Sequence, residues 1–157
     1  MIKIKLVCVG KIKENYFVDA VKEYEKRLSR FCQFQIKEIK EENFNDNPTE
    51  SQIKSIIKKE GENILREIKG EVVLLDIQGK EYSSVEFANF LKGNIDKGAE
   101  ITFIIGGSYG VSEEVKKMAT NRISFSKMTF PHTMFRVMLL EQIYRAFTII
   151  NGAKYHK

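Results

Sequence analysis

The sequence predicts an α/β domain with a mainly parallel sheet and helices on both faces. Strand-like and helix-periodic segments alternate along the whole chain, short turns join them, and the segment Ile101 to Ile105 is apolar as in a strand covered on both sides. At 157 residues the chain is expected to form one domain, residues 1–157, around a full hydrophobic core.

Ile2 to Val9 alternates Ile with Lys and then becomes apolar, which reads as a first strand rather than a signal peptide. After a turn at Gly10 and Lys11, apolar residues from Phe17 to Phe31 recur at helical spacing. Cys32, Phe34 and Ile36 then alternate with polar residues, the pattern of a half-buried strand. Glu41 to Pro48 is polar and acidic and reads as a mobile loop. Thr49 with Gln52 forms a capping box for a helix whose continuity is questioned by Gly61, at a cost of about 1 kcal/mol relative to Ala.

Val72 to Leu75 is a short strand that ends at Asp76, before a turn at Gln78 to Lys80. Ser83 with Glu86 caps the next helix. The strand Ile101–Ile105 runs into Gly106 and Gly107, Ser112 starts a short helix, and Ile123 to Ser126 makes a last strand. A long helix follows Pro131 and reaches about Ile150, with apolar residues on most of its circumference. That distribution predicts one face packed on its own sheet and another on a second subunit, giving a homodimer.

Composition narrows the function. The last 37 residues carry six Lys or Arg and one acid, Glu141, whereas the first 120 hold twenty charges of each sign, so the net +5 resides in the C-terminal stretch. A basic segment of this kind suits a polyanion, and a solvated basic face is the competing reading. No apolar run approaches the roughly 20 residues that cross a bilayer, so no membrane partner is expected. Cys8 and Cys32 stand far apart with no CxxC spacing, which predicts buried thiols in a reducing cytoplasm and no metal site.

Candidate site residues lie where strands end, because ligands of parallel sheets bind at the carboxyl ends; Leu75, Gly106 and Ser126 all fall there. The Gly106–Gly110 turn follows the fourth strand and not the first, and its spacing is not GxGxxG, which argues against an ordinary dinucleotide fold. Phe125, Ser126, Lys127, Met128, Thr129, Phe130 and Pro131 then lead to His132; exposed backbone groups there suit the edge of an adenine, and Met and Phe its faces. Glu141 and Arg145 form an (i, i+4) pair, leaving Arg136 as the freer cation for RNA phosphate. Asn151 and Gly152 end the helix, and the tail Ala153 to Lys157 groups Tyr155 and His156 with two lysines, a set suited to stacking on a base and holding phosphate.

These segments carry a resemblance. IIGGSYG (104–110), ISFSKMTFPHTMFRVMLLEQIYRAFTIINGAKYHK (123–157), VCVGKIKENYFVDAVKEYEKRL (7–28) and LLDIQGKEYSS (74–84) are similar to the bacterial large-subunit rRNA pseudouridine N3-methyltransferase family, within the SPOUT superfamily. The resemblance implies a C-terminal trefoil knot, with knot and cofactor site in about 72–157, and a homodimer that binds S-adenosylmethionine. It implies methylation of N3 of a pseudouridine in an intersubunit stem-loop of 23S rRNA, within the assembled 70S ribosome. By position it assigns Leu75, Gly106 and Phe125 to Phe130 to the cofactor, and places His132, Arg136, Tyr155 and His156 in the catalytic motif. His156 is the first choice for the group that favours loss of the N3 proton, because imidazole titrates near neutrality; His132 is the second. A non-catalytic ribosome- or RNA-binding module, and a phosphate-handling α/β enzyme lacking the P-loop lysine, are the competing classes.

Overall fold

A computed structural model describes residues 1–157. Five strands, β1 (Ile2–Val9), β2 (Cys32–Ile39), β3 (Glu71–Glu81), β4 (Ile101–Ile105) and β5 (Asn121–Ser124), form one sheet in the order β2-β1-β4-β3-β5. Every neighbouring pair is parallel. β4 is central and buried at all five positions, as its sequence requires. Four helices connect the strands, α1 (Asn15–Leu28), α2 (Glu50–Leu65), α3 (Ser84–Asp96) and α4 (Glu113–Met118), and α5 (His132–Ile150) follows β5.

Alternation along the strands divides the core. Leu6, Cys8, Val73, Phe103 and Ile105 face α1, α3 and α5, where they meet Leu28, Leu91, Leu139 and Ile143. Val7, Val9, Leu74 and Ile104 face the other way, toward Ile64 of α2 and Val115 of α4. Both expected capping boxes are present, Thr49 with Gln52 and Ser83 with Glu86.

Three local readings change. β3 does not stop at Asp76: it continues to Glu81 with a register shift between Leu75 and Lys80 against β5. Gly79 permits this, since a Cβ there would lie 2.7 Å from the carbonyl carbon and oxygen of Arg122. β5 ends at Ser124 and not Ser126. Gly61 leaves α2 unbroken, and it is required because a Cβ would stand 2.5 Å from the Oγ of Ser112, the residue that caps α4. α5 is also less covered than its composition suggests. Leu139, Leu140, Ile143 and Phe147 are buried, while Val137, Met138, Ile149 and Ile150 are only half-buried and Met134 is exposed.

Candidate functional site

The carboxyl ends of β3, β4 and β5 open into a cavity of about 410 Å³. Its first wall is Leu75, Asp76, Ile77 and Gln78; its second is Gly106 to Val111; its third runs from Ser124 through Phe130 to His132 and Phe135 at the start of α5. Seven of the eight residues assigned to a cofactor therefore converge: Leu75, Gly106, Phe125, Ser126, Met128, Thr129 and Phe130 all line the cavity. Lys127 does not; its side chain is exposed and is absent from the lining set.

Local bonding shapes these walls. Ser124 Oγ donates to the Ser126 carbonyl at 3.0 Å, and Ser126 Oγ accepts from the Met128 amide at 3.0 Å, so two short serine turns fold the third wall back. Phe125 packs on Phe135, ring centroids 4.9 Å apart, tying the loop to α5. On the second wall, Gly110 is at φ +85°, and its amide donates to the Gly107 carbonyl at 3.1 Å. Gly106 is not in the left-handed region. Its need is for room, since a Cβ would lie 2.7 Å from Val111 Cγ1. Behind the same wall, Glu60 is buried, with Oε1 3.0 Å from where a Gly107 Cβ would be; burial pushes its carboxyl up from the usual range.

Two charged residues of the lining, Asp76 and Lys116, escaped the sequence reading. Asp76 stands at the end of β3 beside Leu75, so the carboxyl-end rule that found Leu75 could have found it. Lys116 comes from α4, where its ammonium pairs with Glu113 at 3.3 Å, and no spacing in the sequence announces that this short helix reaches the cavity. The cavity thus combines apolar walls, exposed backbone of three loops and one charge of each sign. Those features fit S-adenosylmethionine, which has an aromatic base, a cationic sulfonium and an amino-acid end.

The catalytic candidates separate into three places. His132 is at the cavity rim. Arg136 is not available to RNA, contrary to the sequence reading: it is 1% exposed and pairs with Glu38 at 2.9 Å. Its Nη2 donates to the carbonyls of Val9 and Gly10, at 3.1 and 2.7 Å, while Nε has no partner. Helical rotation aims Arg136 inward, and burial of the guanidinium is made tolerable by the carbonyls released where β1 ends. Tyr155 and His156 lie at the far half of α5. Tyr155 Oη donates to Glu141 Oε1 at 3.1 Å, and Arg145 sits over the Tyr155 ring at 4.8 Å. Loss of water around it, followed by its bond to Glu141, pushes the Tyr155 phenol up to about 12. The Glu141–Arg145 pair is formed as expected, at 2.6 Å.

Thirteen residues of α5 separate His132 from Arg145, about 20 Å along the helix axis. A chain's own tail is therefore remote from its own cavity. No helix is long and apolar enough to cross a membrane, and no group of three or more His, Cys, Asp or Glu side chains is placed to hold a metal ion. Cys8 and Cys32 are buried and unpaired, and burial pushes both thiols up to about 12.

A parallel sheet whose cavity is walled by three late loops places the chain among α/β proteins that hold ligands at the carboxyl ends of their strands. Among them, the family model described as "Predicted SPOUT methyltransferase" matches residues 2–156, and the chain belongs to that family. It is 53% identical over 156 residues to the ribosomal RNA large subunit methyltransferase H of Caldicellulosiruptor saccharolyticus, covering 98% of this chain and 99% of that protein. It is 48% identical to the protein of the same name from Clostridium tetani, with the same coverage. The crystal structure of the SpoU methyltransferase AviRb from Streptomyces viridochromogenes aligns at 9% identity with a TM-score of 0.47, over 96% of this chain and 61% of that one.

Proposed function

We propose that this chain is an S-adenosylmethionine-dependent methyltransferase of large-subunit ribosomal RNA, acting on N3 of a pseudouridine in the assembled ribosome. The observation that carries the reading is the convergence of Leu75, Gly106 and Phe125–Phe130, apart from Lys127, on one cavity. The full-length similarity to proteins named for ribosomal RNA methylation supports it. In this reading the loops that wall the cavity belong to a C-terminal trefoil knot, and the enzyme works in the cytoplasm.

Bound in the cavity, the cofactor would supply an electrophilic methyl group on a sulfonium. Asp76 and Lys116 are the charged lining residues suited to its amino-acid end, and the backbone of the third wall to its base. N3 of the target must lose its proton to become nucleophilic, and holding the two reactants in line accounts for several kcal/mol of the barrier. That proton leaves to solvent, and the tail provides groups that favour the resulting anion. A guanidinium can only donate, so His156 Nδ1, 3.2 Å from Arg145 Nη1, accepts, and the neutral ring carries its proton on Nε2. His156 then offers an N–H to an anionic base, with the Arg145 cation directly behind it. Since each tail is about 20 Å from its own cavity, the working site combines one subunit's cavity with the other's tail in a homodimer. The half-buried apolar residues of α5, Val137, Met138, Ile149 and Ile150, suit that interface.

Mass mapping of 23S rRNA from cells with and without this chain tests the activity. One pseudouridine should be lighter by a methyl group in its absence, and an identical map would overturn the assignment. A non-catalytic RNA-binding module would bind no S-adenosylmethionine on titration.

A further inference from the structure

The sequence places the excess positive charge in the C-terminal stretch, but the fold brings other cations beside it. The end of α1 carries Lys26, Arg27 and, just beyond it, Arg30. Together with Glu23, Ser29, Phe31 and Tyr144 they line a cavity of about 480 Å³ between α1 and α5. Only one of the three cations is neutralised: Arg27 pairs with Glu23 at 2.9 Å. Lys26 and Arg30 are exposed and form no ion pair. A helix C-terminus favours cations in its last turn, which accounts for one or two of them, but Arg30 lies outside the helix.

Aromatic rings join this cavity to the tail. The Arg27 guanidinium lies over Tyr24 at 5.3 Å and over Tyr144 at 5.5 Å, and Tyr144 meets Tyr155 edge-on with centroids 5.0 Å apart. The tail that carries Tyr155 also has two exposed lysines, Lys154 and Lys157. Cations without counter-charges next to half-buried aromatic rings form a surface that holds phosphates and stacks bases.

We infer that the α1–Tyr144 cavity is a contact site for ribosomal RNA flanking the reacting nucleotide, with Lys26 and Arg30 on phosphates and the rings of Phe31 and Tyr144 beneath a base. The inference rests on the RNA-methyltransferase reading and extends it to a face that contributes nothing to the cofactor cavity. RNA, rather than an acidic protein, is the partner that uses cation and ring together. The cavity adjoins the tail, so RNA held there is one short step from the group proposed to act on the target.

The test uses the double variant Lys26→Gln/Arg30→Gln and 70S ribosomes from cells lacking the enzyme. Both side chains are exposed, so the fold and S-adenosylmethionine binding should be unchanged. Ribosome affinity should fall at least about tenfold at moderate salt, and the slope of log affinity against log salt should flatten by roughly 0.7–0.9 for each phosphate that the variant no longer neutralises. In turnover, KM for ribosomes should rise while kcat holds, and Lys26→Arg with Arg30→Lys should restore most of the affinity. Ultraviolet cross-linking should place a nucleotide adduct on the peptide containing Phe31. Unchanged affinity and slope in the double variant would overturn the inference, as would a cross-link from this segment to a ribosomal protein. Failure of the unsubstituted protein to bind ribosomes would instead remove the RNA-methyltransferase reading, and this one with it.

Discussion

Arg145 joins the tail to the body of the protein: its Nη1 lies 3.2 Å from His156 Nδ1, while its other edge is held by both carboxylate oxygens of Glu141, at 2.6 and 3.3 Å. A guanidinium gripped on one side presents its other side in a fixed direction, so the imidazole is aimed and not merely tethered. His156→Ala should lower turnover by about 10²- to 10³-fold, the usual range for loss of one hydrogen-bond donor aimed at a developing anion, and leave S-adenosylmethionine affinity unchanged. Single-turnover assays with isothermal titration of the cofactor measure both; full turnover by the variant would remove His156 from the chemistry.

Deleting Lys154 to Lys157 should leave folding and cofactor binding intact, since of these residues only Tyr155 and His156 are even half-buried. Methylation should fall by orders of magnitude. Mixed dimers of this deletion with a Gly106→Val subunit should regain one working site if the tail acts across the interface. Activity of purified heterodimers is the measurement, and no recovery would assign each tail to its own subunit or require both sites intact.

Gly106→Val should weaken S-adenosylmethionine binding by about 1–3 kcal/mol, the usual cost of overpacking, because the new Cβ starts 2.7 Å from Val111 Cγ1. The second wall must shift into the cavity or distort. Titration calorimetry should show the loss while thermal unfolding still shows a folded protein. Undiminished binding would mean the loop relaxes away from the ligand.

For Arg136→Met the expected loss of stability is about 1–3 kcal/mol, because the carbonyls of Val9 and Gly10 lose their donor in a buried place. Urea unfolding measures it. Glu38→Gln should also lower stability, since it leaves the buried Arg136 guanidinium without its counter-charge. An Arg136→Met protein of unchanged stability with specifically weakened RNA binding would restore the sequence-based role.

Alkaline pH should unfold the protein early. The thiols of Cys8 and Cys32 and the Tyr155 phenol are all raised to about 12 in the folded state, against ordinary values of 9.0 for the thiols and 10.0 for the phenol. A raised group contributes stability that is intact below its unfolded value and lost as pH climbs through the folded one. Stability should therefore decline between about pH 9 and 12, and the decline should be shallower in Cys32→Ala. Urea midpoints across that range decide it; a flat profile would show that water reaches these groups.

The sheet, its helices and both capping boxes were legible because period and cap chemistry are local: Thr49 and Gln52, or Ser83 and Glu86, reach one another within a turn. The cavity was legible because strand ends in a parallel sheet share one edge, which collects Leu75, Gly106 and Ser126. What was not legible depends on rotation and distance. Arg136 looked free beside a paired Glu141 and Arg145, yet the partner that claims it is 98 residues away. Lys127 matched a motif whose neighbours face the cavity, while its own side chain turns out to solvent. The α1 cations were hidden by an even charge balance over the first 120 residues, and only packing against Tyr144 sets them beside the tail.

The three walls of the cavity come from residues 75–78, 106–111 and 124–135, three segments well separated in sequence. The cavity therefore does not exist until all three segments are in place, and a misplaced third segment abolishes it entirely. Because a ligand stabilises only the state that binds it, S-adenosylmethionine can favour the finished arrangement without favouring any partly built one. Cofactor occupancy thus reports completed assembly: a chain that holds it has its last helix home.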